Sequence, residues 1–542
     1  MSPPALLCHP VPWLVAVSAA IGLAWYALGY PVAMPRSPLA TNEKLDCLSY
    51  VPFRPGQSPA DPSIAISPVQ IEEDLARLAP HTSCVRTYTV GMGLARVPEI
   101  ARKFGLVVLQ GVSLGRDPAK NRAEIEAAVA LARAQRPAIR ALVVGSEVLS
   151  RHDMSALELA QIIRRVRTEA RVPVTYADKW EAWLQAGELL TLVDFVALHV
   201  RPYAEDFPVA ASDAARRLAE IRTKVAASFA GKEIMIAETG WPSAGRMREA
   251  ALPSPSNQAR AIHDLIAAAK AGGFRINLFE AFDQPWRRRL EGTAGAHLGL
   301  FAADTRATKF RWGGAVSDHP YWQYQGAIGI LFAFVIFAAA FFAARSRGPA
   351  SASSVDWMPV AAIALASGLP VGRLLVEVPL QSDGMADWFH WIFLLLLATA
   401  TPPVAAAAVA RQTRFQGFAA VFDPLVRRSI DPLGRILTLF FALTVIEAVR
   451  SALGLVFDSA GRDFPGLALA GSALALAVVA WNNPPAERRD SAAEAAAAIV
   501  LAAAAVFIAI HETVWNWQAQ WFAVVLLALA WSCRRARGVR SS

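Results

Sequence analysis

The sequence predicts an α/β protein, a (β/α)8 TIM barrel followed by an all-α polytopic membrane domain. Three observations predict it. The 542 residues are 55% hydrophobic and their mean hydropathy is +0.34, too apolar for a soluble chain of this length. The apolarity is uneven: residues 42–312 carry mixed charge, whereas long Ala, Leu, Val and Phe runs dominate from residue 324 onward. Within the charged part, eight short apolar runs are separated by helical patterns, the rhythm of a parallel barrel. The chain accordingly divides into an N-terminal anchor and linker (1–41), a barrel domain (42–320) and a membrane domain (321–542) with about seven helices.

Residues 11–30 form an apolar segment with Trp13, Trp25 and Tyr26 near its ends. It lacks a positive leading region and a convincing A-x-A site, so it reads as an uncleaved first span. A Pro-containing linker follows over 31–41. Strand-like runs occupy 45–51, 84–90, 106–112, 139–147, 173–178, 193–200, 233–238 and 276–282. Helical patterns fall at 67–78, 94–104, 121–133, 155–169, around Trp183, 212–229 and 257–271. A doubly wound sheet is the alternative, but no Gly-rich phosphate loop follows the first strand.

Seven further apolar runs lie at 325–343, 358–375, 388–410, 436–457, 464–481, 493–510 and 521–533. Arginines fill alternate gaps: Arg345 and Arg347; Arg411, Arg414, Arg427, Arg428 and Arg435; Arg488 and Arg489; then Arg534, Arg535, Arg537 and Arg540. The intervening gaps hold Glu377, Asp383 and Asp387, then Asp458, Arg462 and Asp463, then the uncharged Trp515-Asn516-Trp517. The positive-inside rule puts both termini in the cytoplasm and the barrel outside, which in a bacterial inner membrane is the periplasm. The net charge of +9 therefore reads as membrane orientation, with a lipid bilayer and no nucleic acid as partner. Glu447 and Arg450, three apart in one run, can pair on a helix face, either as a packing pair or as a functional polar patch.

There are four cysteines and no C-x-x-C. Cys47 and Cys84 fall on adjacent strands. A disulfide is open to them, but the geometry demanded between neighbouring parallel strands favours buried thiols.

In a parallel barrel the functional residues sit at the C-terminal strand ends. The fourth run ends Val143-Val144-Gly145-Ser146-Glu147, and the seventh ends at Glu238. A carboxylate closing a buried strand is costly unless paired or used. Two of them across a barrel mouth suit glycoside hydrolysis, which needs a proton donor and a nucleophile. Other strand ends supply Arg86-Thr87-Tyr88, then Asp178 and Trp180, then His199 and Tyr203. Tyr88, Trp180, Tyr203, Trp241 and Trp286 read as faces for sugar rings, with Glu280 and Asp283 as partners for hydroxyls. Glu280 has a second reading as a structural partner of Arg86. The sequence shows no metal-ligand cluster and no cofactor fingerprint.

The run Glu238-Thr239-Gly240-Trp241-Pro242-Ser243, with Glu280-Ala281-Phe282-Asp283-Gln284-Pro285-Trp286, resembles glycoside hydrolase family 17, the β-1,3-glucanase family. The His297-Leu298-Gly299-Leu300 segment, Arg86-x-Tyr88 and His199-x-x-Pro202-Tyr203 resemble it too, over residues 45–312. The resemblance implies a retaining enzyme in which Glu238 is the nucleophile and Glu147 the acid/base, with Tyr88 close to the nucleophile. It implies a β-1,3-glucan or β-1,3/1,6-glucan oligosaccharide as substrate. Such a proton donor is expected to have a raised pKa. Ser146 departs from the family's usual Asn, which weakens the expected hold on the sugar and on the nucleophile. The order of span, barrel and multi-span tail resembles a membrane-bound bacterial branch implicated in making cyclic β-1,3/1,6-glucans, which implies a membrane glucan synthase as partner. The expected activity is a β-glucan transglycosylase. A β-1,3-glucan hydrolase, a weakened glucan-binding subunit and a transporter with a docking barrel are the alternatives.

Overall fold

The computed structural model describes residues 9–346, 355–418, 430–457, 462–485 and 491–537. The chain forms two compact units, residues 32–316 and residues 1–31 with 317–542.

The first unit is a closed parallel barrel in the order β1 to β8. Its strands are β1 (Cys47–Ser49), β2 (Cys84–Arg86), β3 (Val107–Val112), β4 (Ile139–Ser146), β5 (Val174–Lys179), β6 (Val196–His199), β7 (Ile234–Thr239) and β8 (Ile276–Leu278). β8 closes on β1, with Cys47 opposite Asn277. Helices follow the strands, and local chemistry fixes where they start. Ser67 and Asp117 accept backbone N–H groups at the starts of Pro68–Leu78 and Pro118–Ala134, and Ser155 with Glu158 forms a capping box on Ala156–Ala170. All eight strand runs and their helices fall where the periodicity places them, apart from shifts of a few residues at the ends.

Outward-facing Val, Ile and Leu of the strands pack against the helices in one large core. A second, smaller cluster fills the barrel interior: Leu109, Val143, Phe195 and Met235 among Ala141, Ala177, Ala197 and Ala237, with Cys47 and Cys84. The register shifts within β4 (Val143/Ser146), β6 (Leu198/His199) and β7 (Ile236/Thr239). Such irregularities re-aim the side chains that follow, and here they precede Glu147, His199 and the end of β7.

Cys47 and Cys84 are joined by a disulfide, which corrects the expectation of buried thiols. Leu48 pairs with Val85 across β1 and β2, so the two cysteines face each other directly. Their Cα atoms are 4.4 Å apart, at the near edge of the span a bridge can close.

The second unit is helical. Pro10–Gly29, Trp322–Arg345, Trp357–Leu380, Met385–Arg411, Pro432–Phe457, Gly466–Asn482, Ala492–His511 and Trp517–Ala536 cover the eight apolar runs. Among the described residues, six of these helices are long and apolar enough to cross a membrane, and Gly466–Asn482 is shorter. Two helices approach through small residues: a Cβ on Gly329 would sit 2.3 Å from the Gly368 carbonyl, and one on Gly372 2.2 Å from that of Gln325. Arg450 Nη2 lies 2.6 Å from Glu447 Oε1 on one helix face, and the His390 ring joins them from a second helix. Arg347, Arg427, Arg428, Asp458, Arg488, Arg489 and Arg540 lie outside the described residues.

Candidate active site

The site is built on the ends of four strands. Glu147 follows β4 directly, and its amide donates to the Ala177 carbonyl at the end of β5, 2.8 Å away. Gly145 and Glu147 have φ of +84° and +54°. Glycine enters that region freely, whereas glutamate enters it at a cost that the surrounding packing must hold in place. Glu238 is the penultimate residue of β7 and is 3% exposed.

His199, at the end of β6, lies between the two carboxylates. Its Nδ1 is 2.8 Å from Glu147 Oε1 and its Nε2 is 3.4 Å from Glu238 Oε1. Both terminal nitrogens of Arg86 approach Nε2 at 3.3 Å. A guanidinium can only donate, so Nε2 accepts and Nδ1–H points at Glu147. Donor atoms of Glu147, His199 and Glu238 all fall within 4.8 Å of one another, a grouping that could hold a metal ion and that the sequence did not reveal. Glu147, Glu238 and His199 already face the cationic Arg86 or Arg201, which compete for the same lone pairs.

Glu238 is anchored from below. Arg86 Nη1 donates to Glu238 Oε1 at 3.2 Å and to the Ala237 carbonyl at 2.7 Å, while Nη2 reaches Ser146 Oγ at 3.3 Å. A directed chain reaches the same oxygen: Asn277 Nδ2 donates to Ser49 Oγ, which meets Tyr88 Oη at 2.8 Å, and Tyr88 donates to Glu238 Oε1 at 2.8 Å. Bonds aligned in this way strengthen one another. Burial, reinforced by Glu238, pushes the Tyr88 phenol well above its usual pKa, so it stays a donor. Burial pushes Glu238 up, but the guanidinium groups of Arg86 and Arg201 outweigh it and hold the carboxyl below its ordinary value.

Glu147 differs from the expectation of a raised pKa. Burial pushes it up, yet the His199 bond and the Arg201 guanidinium, 2.9 Å from Oε1, bring it well below the carboxylate range. Arg201 stands two residues beyond His199, inside a motif already noted, and was missed because only the strand-end residues were read.

Several expected sugar contacts are engaged elsewhere. Trp241 is fully buried, packed with Ala211, Ala214, Ala251 and Ala261, and donates Nε1–H to the Leu252 carbonyl; it offers no open face. Tyr203 lies edge-on to Trp241 and donates to the Arg246 carbonyl. Asp178 is buried and accepts from Ser150, from Tyr176 Oη and from its neighbour's amide, so it holds loops rather than hydroxyls. Asp283 accepts from Lys309 Nζ at 2.6 Å and the Gly299 amide at 2.9 Å, which binds the two motif segments together through Ser243, also a Lys309 partner. Lys224 Nζ sits 4.3 Å from the Trp180 ring centroid. Trp286 stays partly exposed, edge-on to Phe53 and bonded to Gln284. Glu280 pairs with Arg287 at 2.7 Å, not with Arg86, and its burial pushes it up to about 8 against that guanidinium.

Residues 47–299 match the BtgE/BtgC glycoside hydrolase domain. A glucan 1,3-β-glucosidase of Candida albicans is 27% identical over 258 residues, covering 43% of this chain and 83% of that protein. One from Saccharomyces cerevisiae is 24% identical over 255 residues, covering 43% of this chain and 81% of the other. The crystal structure of a glycoside hydrolase family 17 β-1,3-glucanosyltransferase from Rhizomucor miehei is 26% identical, covers 50% of this chain and 97% of its own, and superposes with a TM-score of 0.44. The barrel is a glycoside hydrolase-type domain. Among the proteins it resembles are glucosidases named for 1,3-β-glucan.

Proposed function

We propose that the barrel is a retaining β-glucan transglycosylase acting on β-1,3-glucan. The observation that carries this reading is the pair of strand-end carboxylates, with oxygens of Glu147 and Glu238 within 4.8 Å of each other. Retention calls for about 5–5.5 Å, whereas inversion needs room for a water between the two. Glu238, kept ionised by Arg86 and aimed by Tyr88, attacks the anomeric carbon as the glycosidic C–O bond breaks. Glu147 gives its proton to the departing oxygen. An acceptor hydroxyl then attacks the same carbon, Glu147 takes its proton, and Glu238 is released.

Transfer is favoured over hydrolysis by tethering. A chain whose described residues include six apolar helices of membrane-crossing length keeps its barrel beside the source of its glucan, where acceptor is concentrated. A purely degradative enzyme gains little from that. The disulfide Cys47–Cys84 supports an oxidising compartment such as the periplasm. Elongation, β-1,6 branching and cyclisation are all consistent with this chemistry, in association with a membrane glucan synthase. Incubation of the full-length protein with a linear β-1,3-gluco-oligosaccharide tests the reading. Products longer than the substrate, or with a new linkage, are expected from the first time points. Shorter sugars alone at high acceptor concentration would leave a hydrolase.

A further inference from the structure

Each carboxylate of the pair is held by an arginine, and the two arginines differ. Arg86 is 1% exposed along its side chain and is fixed by Ala237, Ser146, His199 and Glu238 together. Arg201 is 22% exposed along its side chain. It comes from the loop after β6, bonds Glu147 Oε1 through Nη2, and otherwise lies 4.0 Å from Glu238 Oε2 and 5.7 Å from the Phe279 ring centroid. Its guanidinium thus spans the gap between the carboxylates on the solvent side, where a sugar must enter. A proton donor cannot keep its proton while a guanidinium rests on it. The contact suits the empty cleft and opposes the first chemical step.

We propose that Arg201 is a positioning residue that clamps Glu147 in the empty cleft and is displaced from it by the sugar that binds across the cleavage point. The inference rests on the reading of Glu147 as proton donor. Displacement arms the donor only when a sugar is seated. Once the leaving sugar departs, Arg201 can return and hold Glu147 as the base that accepts a proton from the incoming hydroxyl. The other groups facing Glu147 do not share this freedom. His199 is locked by Arg86, Glu238 is fixed on β7 by Arg86 and Tyr88, and Lys179 acts at longer range from the end of β5.

The test compares pH profiles of the full-length protein, Arg201→Gln and Arg201→Lys on a β-1,3-gluco-oligosaccharide. The kcat/KM profile reports the free enzyme and the kcat profile the complex. Removing the cation raises the Glu147 pKa in the free enzyme. The alkaline limb of kcat/KM is therefore expected to move up by about one pH unit or more in Arg201→Gln, and less in Arg201→Lys. The alkaline limb of kcat should not move, because the sugar has already displaced the side chain. A fixed kcat/KM limb, or a kcat limb that moves equally, overturns the proposal. Infrared titration of the Glu147 carboxyl without sugar, its band assigned with Glu147→Gln, gives a readout independent of turnover. An upward move in Arg201→Gln without turnover on any glucan would retire the enzyme reading and leave the clamp standing. An unmoved band overturns the clamp.

Discussion

Arg86 and Glu238 form an ion pair of 3.2 Å whose side chains are 1% and 4% exposed. The two partners are not equivalent. Arg86 keeps the Ala237 carbonyl, Ser146 and His199 as acceptors if the carboxylate is lost, whereas Glu238 without Arg86 is a buried anion short of its main cation. Arg86→Met is therefore expected to destabilise the barrel by about 3–5 kcal/mol, while Glu238→Gln folds with a melting temperature near the parent's. Thermal unfolding of the two variants in detergent decides it. Equal losses would mean that Arg86 depends on Glu238 as much as the reverse.

The roles proposed for the two carboxylates separate by leaving group. Glu147→Gln is expected to lower turnover of a natural β-1,3-glucan by about 10²–10⁴-fold, and to recover much of the first step with an aryl β-glucoside whose leaving group needs no proton. Glu238→Gln should recover nothing, because no nucleophile remains to attack. Burst kinetics with the aryl donor measure the first step alone. Recovery in Glu238→Gln, or none in Glu147→Gln, would reverse or dismiss the assignment.

Glu280 carries a pH signature. Its carboxyl is pushed by burial to about 8, above the 4.5 of an exposed glutamate, so the folded state binds its proton more tightly than the unfolded one. Stability from this group is full below about 4.5 and falls as pH rises toward 8, then levels off. Glu280→Gln removes the titration, and Arg287 retains Glu291 at 2.8 Å as a partner. Relative to this variant, the parent should lose a few kcal/mol, roughly, across that window. Melting curves from acid to mildly alkaline pH measure it. Parallel curves would show that Arg287 holds Glu280 ionised throughout.

The barrel was legible because its signal is periodic: each buried strand is a short apolar run, and several helices bring their own cap, as at Ser67, Asp117, Ser155 and Ser254. Glu147 and Glu238 were legible because a charge ending a buried strand is costly and therefore conspicuous. Side-chain direction was not legible. Trp241 follows a turn that sends its ring into a cluster of alanines, and nothing in its own residue type distinguishes that from an open platform. Asp178 is consumed by Ser150 and Tyr176, whose approach depends on loop packing. The Cys47–Cys84 bridge depends on the register of β1 against β2, which two short apolar runs leave undetermined. Arg201 was hidden for a related reason: it lies in a loop, and its pairing with Glu147 crosses from β6 to β4.

The disulfide and the arginine pattern make one joint prediction about topology. The positive-inside rule applied to the arginines in alternate gaps predicts a barrel outside, and the Cys47–Cys84 bridge closes a loop with a sequence separation of 37, expected to contribute about 3–4 kcal/mol. Bridges persist in the periplasm and are rare in the cytosol, so orientation decides whether the barrel obtains that stability. A reporter active only in the periplasm should work when fused near Asp318 and fail when fused after Arg345. Trapping thiols by alkylation in intact cells should leave Cys47 and Cys84 unmodified until a reductant is added. The Cys47→Ser, Cys84→Ser double variant should melt at lower temperature than the parent, and to the same degree as the parent after reduction. Reporter activity beyond Arg345 with freely alkylated thiols would place the barrel in the cytoplasm. The bridge would then contribute nothing to its stability in the cell.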